Sequence, residues 1–250
     1  MCYNCVMFET VRGKKIHYAA EGDGTETLVL LHGWGGTTRS MSPLMSFLKK
    51  KYRTISLDLP GFGSSDAPGK GWGTKEYADI VRDFLLQKTR HPVIFFGHSF
   101  GGALGIYLAA THPELISSLI LAAPSFRRIP KQKNAVTAIF KNLPLPETVK
   151  LFIRKIFYKV FFPKSDILAY PHMEETYRKI ITEDLTLYLS RIDKQTLILW
   201  GDRDRDTPPD NAMLLKNSVN KSKLVMFPGY THNFPLTHPD NVVREIERFL

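Results

Sequence analysis

One stretch constrains this chain more than any other: Val93-Ile94-Phe95-Phe96-Gly97-His98-Ser99-Phe100-Gly101-Gly102. Its first four residues are apolar without interruption. That run is too short for a helix and suits a strand buried on both faces. Behind it, Ala103–Ala110 is apolar and closes at His112-Pro113, as a buried helix would. Ser99 therefore stands on a sharp turn from a buried strand into a helix. Such a reversal brings backbone against backbone, and the flanking glycines leave room for it. The turn holds the hydroxyl out at its tip, the Gly-x-Ser-x-Gly pattern of a nucleophile. A phosphate loop would instead need a glycine where Ser99 stands, or a Lys-Ser/Thr pair after the loop, and neither is present.

The same strand–helix unit recurs. Apolar strands are expected at Thr27–Leu31, Arg53–Leu57, Ser117–Ala122, Thr196–Trp200 and Lys223–Phe227. Helices are expected at Ser40–Lys50, Thr74–Lys88, Pro208–Ser218 and Pro239–Leu250. Tyr77, Ile80, Val81, Phe84 and Leu85 fall at helical spacing in the second of these. Val6–Val11 and Lys15–Ala20 read as a hairpin with Gly13 in its turn. Strands that are apolar along their whole length predict an α/β fold: a mostly parallel central sheet flanked by helices. The 250 residues suit one domain with an insertion. Alternation stops at Pro124 and resumes at Thr196. Residues 1–126 and 193–250 are read as the core, and residues 127–192, which lack strand signals, as a helical lid insertion. Ligands of an open parallel sheet bind beyond the carboxyl ends of its strands, so an insertion leaving from that edge would cover the site.

The net charge of +10 is concentrated in that insertion. Between Arg127 and Lys164 stand ten Lys or Arg and one acid, Glu147. From Val149 to Phe161 the apolar residues follow a helical stripe, with Lys150, Arg154, Lys155 and Lys159 mostly facing away. One reading is a lid helix with a solvated basic face. Another is a docking surface for an acidic carrier or an anionic lipid surface. No motif accompanies the charge that would make the chain a nucleic-acid binder. Cys2 and Cys5 have C-x-x-C spacing, but no further ligands stand near them for zinc. No metal cluster or cofactor fingerprint is found. No run of 18 apolar residues spans a membrane. The first residues do not form a signal peptide, so the cytoplasm is the expected address.

A serine nucleophile needs an imidazole to take its proton and a carboxylate to orient that imidazole. Among the histidines, His232 follows the last strand at the correct edge. His98 adjoins Ser99, but neighbouring side chains in a sharp turn point apart. His91 and His112 precede prolines at the opposite edge, and His238 precedes Pro239. The acid is expected in Trp200-Gly201-Asp202-Arg203-Asp204-Arg205-Asp206-Thr207-Pro208, where spacing leaves Asp202, Asp204 and Asp206 open.

At this point the chain resembles the α/β-hydrolase fold superfamily over nearly its whole length outside the insertion. The motifs appear in order: His32-Gly33-Trp34-Gly35, Asp58-Leu59-Pro60-Gly61-Phe62-Gly63-Ser64-Ser65, Gly97-His98-Ser99-Phe100-Gly101-Gly102, Gly201-x-x-Asp204 before Pro208, and His232. The order Ser, Asp, His is the family's. The resemblance picks Asp204 as the acid and implies an oxyanion hole from the backbone N–H groups of Trp34 and Phe100. Phe100 also opens a helix, where amides are unpaired, and the glycines after Trp34 allow close approach. The side chains of Trp34 and Phe100 are candidate walls of the substrate pocket.

Family members that cleave carbon–halogen bonds or epoxides carry aspartate at the position of Ser99, so the resemblance does not lead to that chemistry here. Carbon–carbon bond hydrolases of ring-cleavage products often carry Asn at the position of His98. The motif His-Gly-Trp-Gly and the basic insert resemble those of pimeloyl-carrier-protein methyl ester esterases, whose insert looks longer. The expectation is a serine hydrolase for small-molecule carboxylic esters, lactones or thioesters included, working without a cofactor. Two alternatives stand beside it: a carbon–carbon bond hydrolase, and a small-ligand receptor on the hydrolase scaffold. Oligomeric state is not read from the sequence.

Overall fold

Arg12 and Gly13 both have positive φ, 50° and 75°, the combination that a tight two-residue hairpin turn requires. They join β1 (Met7–Val11) to β2 (Lys14–Glu21), which pair antiparallel. The computed structural model describes residues 7–90, 92–127 and 170–250. The remaining strands are β3 (Thr27–Leu31), β4 (Arg53–Leu57), β5 (Val93–His98), β6 (Ile116–Ala122), β7 (Gln195–Gly201) and β8 (Ser222–Phe227). They form one sheet in the order β1-β2-β4-β3-β5-β6-β7-β8. β2 joins β4 antiparallel, and every pair beyond that is parallel. β3 and β5 are buried at every residue, as their unbroken apolar runs demand.

The flanking helices are α1 (Thr38–Leu48), α2 (Thr74–Lys88) and α3 (Phe100–Thr111), then α4 (Glu174–Ile180) and α5 (Thr186–Leu189). After them come α6 (Asp210–Ser218), α7 (Phe234–Thr237) and α8 (Pro239–Phe249). α1 packs on α8 and α2 on α3. α2 buries Tyr77, Ile80, Val81, Phe84 and Leu85, the stripe its periodicity predicts. No described helix is long and apolar enough to cross a membrane.

Topology locates the site. From β3 the chain moves to β4 on one side, then returns through α2 to β5 on the other side of β3. A sheet whose strand order reverses in this way opens a crevice at the carboxyl ends of those strands. The loop after β3 begins at His32, and the turn after β5 carries Ser99. The two face each other across the switch point.

Three local expectations shift. α1 begins at Thr38 rather than Ser40. The carboxylate of Asp58 accepts the Thr38 N–H at 2.6 Å, and Ser40 Oγ accepts the Thr37 N–H at 3.1 Å. A carboxylate at a helix N-terminus is stabilising, and this one arrives from the end of β4. α6 begins at Asp210 rather than Pro208, because short turns open it, from Asn211 N–H to Pro208 O and from Ala212 N–H to Pro209 O. The four-residue α7 was not expected; it is too short to carry a periodic signal and is anchored by the buried Phe234.

Of the segment 127–192, residues 170–192 beyond Arg127 are described, and they are helical with no strand. Tyr170 donates its hydroxyl to Gly35 O at 3.2 Å, and Glu183 accepts the Thr74 N–H at 2.9 Å. The Leu185 N–H bonds Phe126 O at 2.8 Å. These contacts seat the segment on the loop after β3, the start of α2 and the end of β6. The basic stripe from Val149 to Phe161, with the docking surface read from it, lies outside the described residues, as do Cys2, Cys5 and His91.

Candidate active site

Ser99 sits at φ 51° and ψ −113°. A non-glycine residue in this region carries strain of about 1–3 kcal/mol and persists only where its surroundings hold it. Here both backbone groups are held. The Ser99 N–H donates to Ala122 O at 3.0 Å, and Ser99 O accepts from Ala103 N–H at 3.1 Å and Ser125 N–H at 3.0 Å. Gly101 permits the turn, since a Cβ there would stand 2.5 Å from Leu31 O. β3, β5 and β6 thus clamp one residue.

The imidazole of His232 reaches the same place from the loop after β8. Its Nδ1 lies 2.7 Å from Asp204 Oδ2. Asp204 follows β7 and is 4% exposed. Its Oδ1 accepts the N–H groups of Asp206 at 2.8 Å and Thr207 at 2.9 Å, and its Oδ2 accepts the Thr207 hydroxyl at 2.8 Å. Burial opposes the charge on Asp204, but the bond to His232 and the Thr207 donors outweigh it and hold the carboxyl below its ordinary pKa. Nδ1 therefore carries the proton, which leaves Nε2 as a base.

The loop after β3 turns back on itself. The Gly36 N–H donates to Gly33 O at 3.0 Å, and Gly35 has φ 75°, the pattern of a turn that needs glycine at its third position. The Trp34 N–H, at the second position, takes no part in that bond. A Cβ on Gly33 would stand 3.0 Å from the Ser99 Cβ, so this loop abuts Ser99. The Phe100 N–H opens α3, where no intrahelical acceptor exists. Ser99, His232, Trp34 and Phe100 line one cavity of about 860 Å³. Phe100 is 1% exposed and packs on Tyr77 at 5.1 Å, while the half-buried Trp34 packs on Phe62 at 4.9 Å and Tyr177 at 5.1 Å. Both side chains pack and also wall the pocket.

The other candidates separate. Asp202 accepts the Gly229 N–H at 2.7 Å and ties the turn after β8. Asp206 is exposed at the cavity. His238 stacks on Tyr230 at 4.2 Å, and His17 pairs with Asp58 at 2.7 Å. Asp204, Asp206 and His232 bring ligand atoms within 4.8 Å of one another. Both oxygens of Asp204 are already taken by donors, so the set suits hydrogen bonding rather than a cation.

Three residues have roles that sequence reading missed. His98 is buried, with its ring 4.9 Å from that of His232, and its Nε2–H donates to the main-chain oxygen of His232 at 3.0 Å. Thr207 braces Asp204 and lies 3.2 Å from His232 Nδ1. His32 donates Nδ1–H to Gly33 O at 2.7 Å and accepts the Leu59 N–H at Nε2 at 3.0 Å. Burial pushes the pKa of His32 down, which keeps it neutral for both bonds. Polar residues at the ends of apolar runs were a signal for His98 and His32; Thr207, in a charged loop, left none.

A sequence model described as "Alpha/beta hydrolase family" matches residues 28–245. The AB hydrolase superfamily protein YisY of Bacillus subtilis is 31% identical over 226 residues, 82% of this chain and 84% of that protein. A 2-hydroxy-6-oxononadienedioate/2-hydroxy-6-oxononatrienedioate hydrolase of Escherichia coli O81 is 27% identical over 268 aligned positions, 94% of this chain and 91% of that protein. Among solved structures, a meta-cleavage product hydrolase from Pseudomonas fluorescens IP01 superposes with a TM-score of 0.75 at 18% identity, covering 97% of this chain and 96% of that one. The enol-lactonase from Burkholderia xenovorans LB400 does so at 0.75 and 20%, covering 97% and 99%. At those identities the structural likeness is one of fold.

Proposed function

The chain belongs to the alpha/beta hydrolase family, and we propose that it is a serine hydrolase of small carboxylic esters, lactones and thioesters included. The observation that carries this reading is the 2.7 Å bond between His232 Nδ1 and Asp204 Oδ2 in a loop that shares a cavity with the strained Ser99. In this reading His232 Nε2 takes the proton of Ser99 Oγ, which attacks the substrate carbonyl. The oxyanion is received by the N–H groups of Trp34 and Phe100, worth a few kcal/mol each. His232 then protonates the leaving group, and water activated by the same imidazole clears the acyl-enzyme.

A second reading is favoured by the names of two relatives: the same triad would release a carbon leaving group from a ring-cleavage product. His98 in place of Asn weighs against it. A serine-directed fluorophosphonate, followed by turnover of p-nitrophenyl acetate and of a meta-cleavage dienoate, separates the two. Labelling of Ser99 with ester turnover supports the esterase. Labelling with dienoate turnover alone supports the second reading. No labelling overturns both. Ser99→Ala and His232→Ala should abolish turnover, whereas His238→Ala should spare it.

A further inference from the structure

Arg127 lines the catalytic cavity together with Ser99 and His232. Its backbone is fixed by the residues that precede it. Two residues earlier, the Ser125 N–H is bonded to Ser99 O, and the adjoining Phe126 is fully buried with its carbonyl bonded to the Leu185 N–H. The Arg127 Nε–H donates to Asn211 Oδ1 at 3.2 Å. Asn211 is fully buried, so a neutral, immobile partner sets the plane of the guanidinium. Among the described residues, nothing bonds to the edge formed by its two terminal nitrogens.

Among the described residues, no carboxylate pairs with this cation. The carboxylates near the cavity are occupied elsewhere or face solvent: Glu183 accepts the Thr74 N–H, Asp204 holds His232, and Asp206 is exposed. A partly buried cation without a counter-charge is unfavourable unless its ligand supplies one. A guanidinium edge with two parallel donors matches a planar carboxylate. Arg205, exposed on the same cavity, adds positive potential at the approach.

Resting on the hydrolase reading above, we propose that Arg127 is a specificity-determining residue. It binds a free carboxylate that the substrate carries away from its reacting carbonyl, as in the half-ester of a dicarboxylic acid.

The test compares mono-p-nitrophenyl glutarate with p-nitrophenyl valerate, which match in chain length and differ in the terminal charge. The wild type should favour the anionic ester in kcat/KM by about tenfold or more, mainly through KM, as a charge-assisted pair implies. Arg127→Gln should lose that ratio, Arg127→Lys should keep part of it, and the distant surface change Arg248→Gln should leave it alone. A wild-type ratio at or below one, or a ratio that survives in Arg127→Gln, overturns the proposal. Binding to Ser99→Ala, measured by calorimetry, needs no turnover. Tighter binding of the glutarate ester, lost when Arg127→Gln is added, supports the proposal, and equal affinity for the two esters overturns it. Failure of the hydrolase reading would appear separately, as absence of both labelling and turnover in the wild type.

Discussion

His98 donates its Nε2–H to the main-chain oxygen of His232 across 3.0 Å. The residue before Ser99 thus anchors the loop that carries the His232 imidazole. The bond requires a proton on Nε2. Burial, and then the charge of His232, push the pKa of His98 down to about 3, so the ring stays neutral at every ordinary pH.

His98→Ala removes the anchor, and with it the ring that lies 4.9 Å from that of His232. A displacement of the His232 loop of about 1 Å would cost roughly 100-fold in kcat, with KM little changed. His98→Asn keeps an N–H donor and should recover part of the loss. Steady-state kinetics on an activated aryl ester decide this. A kcat within twofold of wild type in His98→Ala would mean that the loop holds its place alone.

The same histidine sets a pH dependence of stability. Its pKa falls from 6.5 in the unfolded chain to about 3 when folded. Between those values the unfolded state binds the extra proton, so stability falls as pH drops from 6.5 toward 3. At pH 5 the loss is about 2 kcal/mol from this one group. His32, whose pKa burial also lowers, adds to it in the same direction. Urea melts at pH 7 and pH 5 should differ less for His98→Asn than for wild type. Equal differences would remove His98 as the cause.

What the sequence made legible was periodic or bound to a motif. β5 and α2 announced themselves by an unbroken apolar run and a helical stripe, and Ser99 by the glycines its turn needs. Asp204 was not legible from spacing, because Asp202 and Asp206 share its loop; only the family pattern chose it. What separates the three is the set of donors that Thr207 and the Asp206 N–H bring to one carboxylate. The start of α1 was missed for a related reason: its cap acceptor is Asp58, twenty residues away. Tertiary hydrogen bonds of this kind leave no local pattern. The basic insertion was legible as charge, and charge alone does not name a ligand.

Ser99→Gly separates strain from chemistry. At φ 51° and ψ −113°, a glycine relieves about 1–3 kcal/mol of strain and gives back part of it as lost unfolded-chain entropy. A net gain of about 1 kcal/mol is expected, near 2–4 °C in Tm for a chain of this size. Ser99→Ala keeps the Cβ and should show no such gain. Both variants should be inactive. Calorimetry that finds Ser99→Gly no more stable than Ser99→Ala would place the strain elsewhere.

Asp204→Asn should lower kcat by about four orders of magnitude, because the amide no longer fixes the proton on Nδ1 of His232. Thr207→Val is the milder test. It deletes the hydroxyl that donates to Asp204 Oδ2 at 2.8 Å, a bond to a charged group worth about 10- to 100-fold. The lost donor also raises the pKa of Asp204, so the limb of the pH–rate profile at which this carboxylate takes up a proton should move to higher pH. Loss of rate without movement of that limb would assign Thr207 to packing alone.

Asp58 ties the site to the fold. It is 2% exposed, yet its carboxylate takes the Thr38 N–H at 2.6 Å, the Ser64 N–H at 2.9 Å and His17 Nδ1 at 2.7 Å. These bonds join the start of α1, the loop after β4 and β2. Asp58→Ala strands the buried Thr38 N–H, frees the Ser64 N–H and leaves His17 without its carboxylate, and should cost about 3 kcal/mol. Asp58→Asn keeps one acceptor oxygen but faces a donor with its amide, and should fall between. The next residue carries the effect into the cavity, because the Leu59 N–H is bonded to His32, and His32 to Gly33 O beside Trp34. Loosening Asp58 should therefore lower kcat as well as stability, although Asp58 touches no substrate. Urea melts with kcat measured on the folded fraction separate the two effects. An unchanged kcat in Asp58→Asn would show that His32 holds the Trp34 turn without help from the loop after β4.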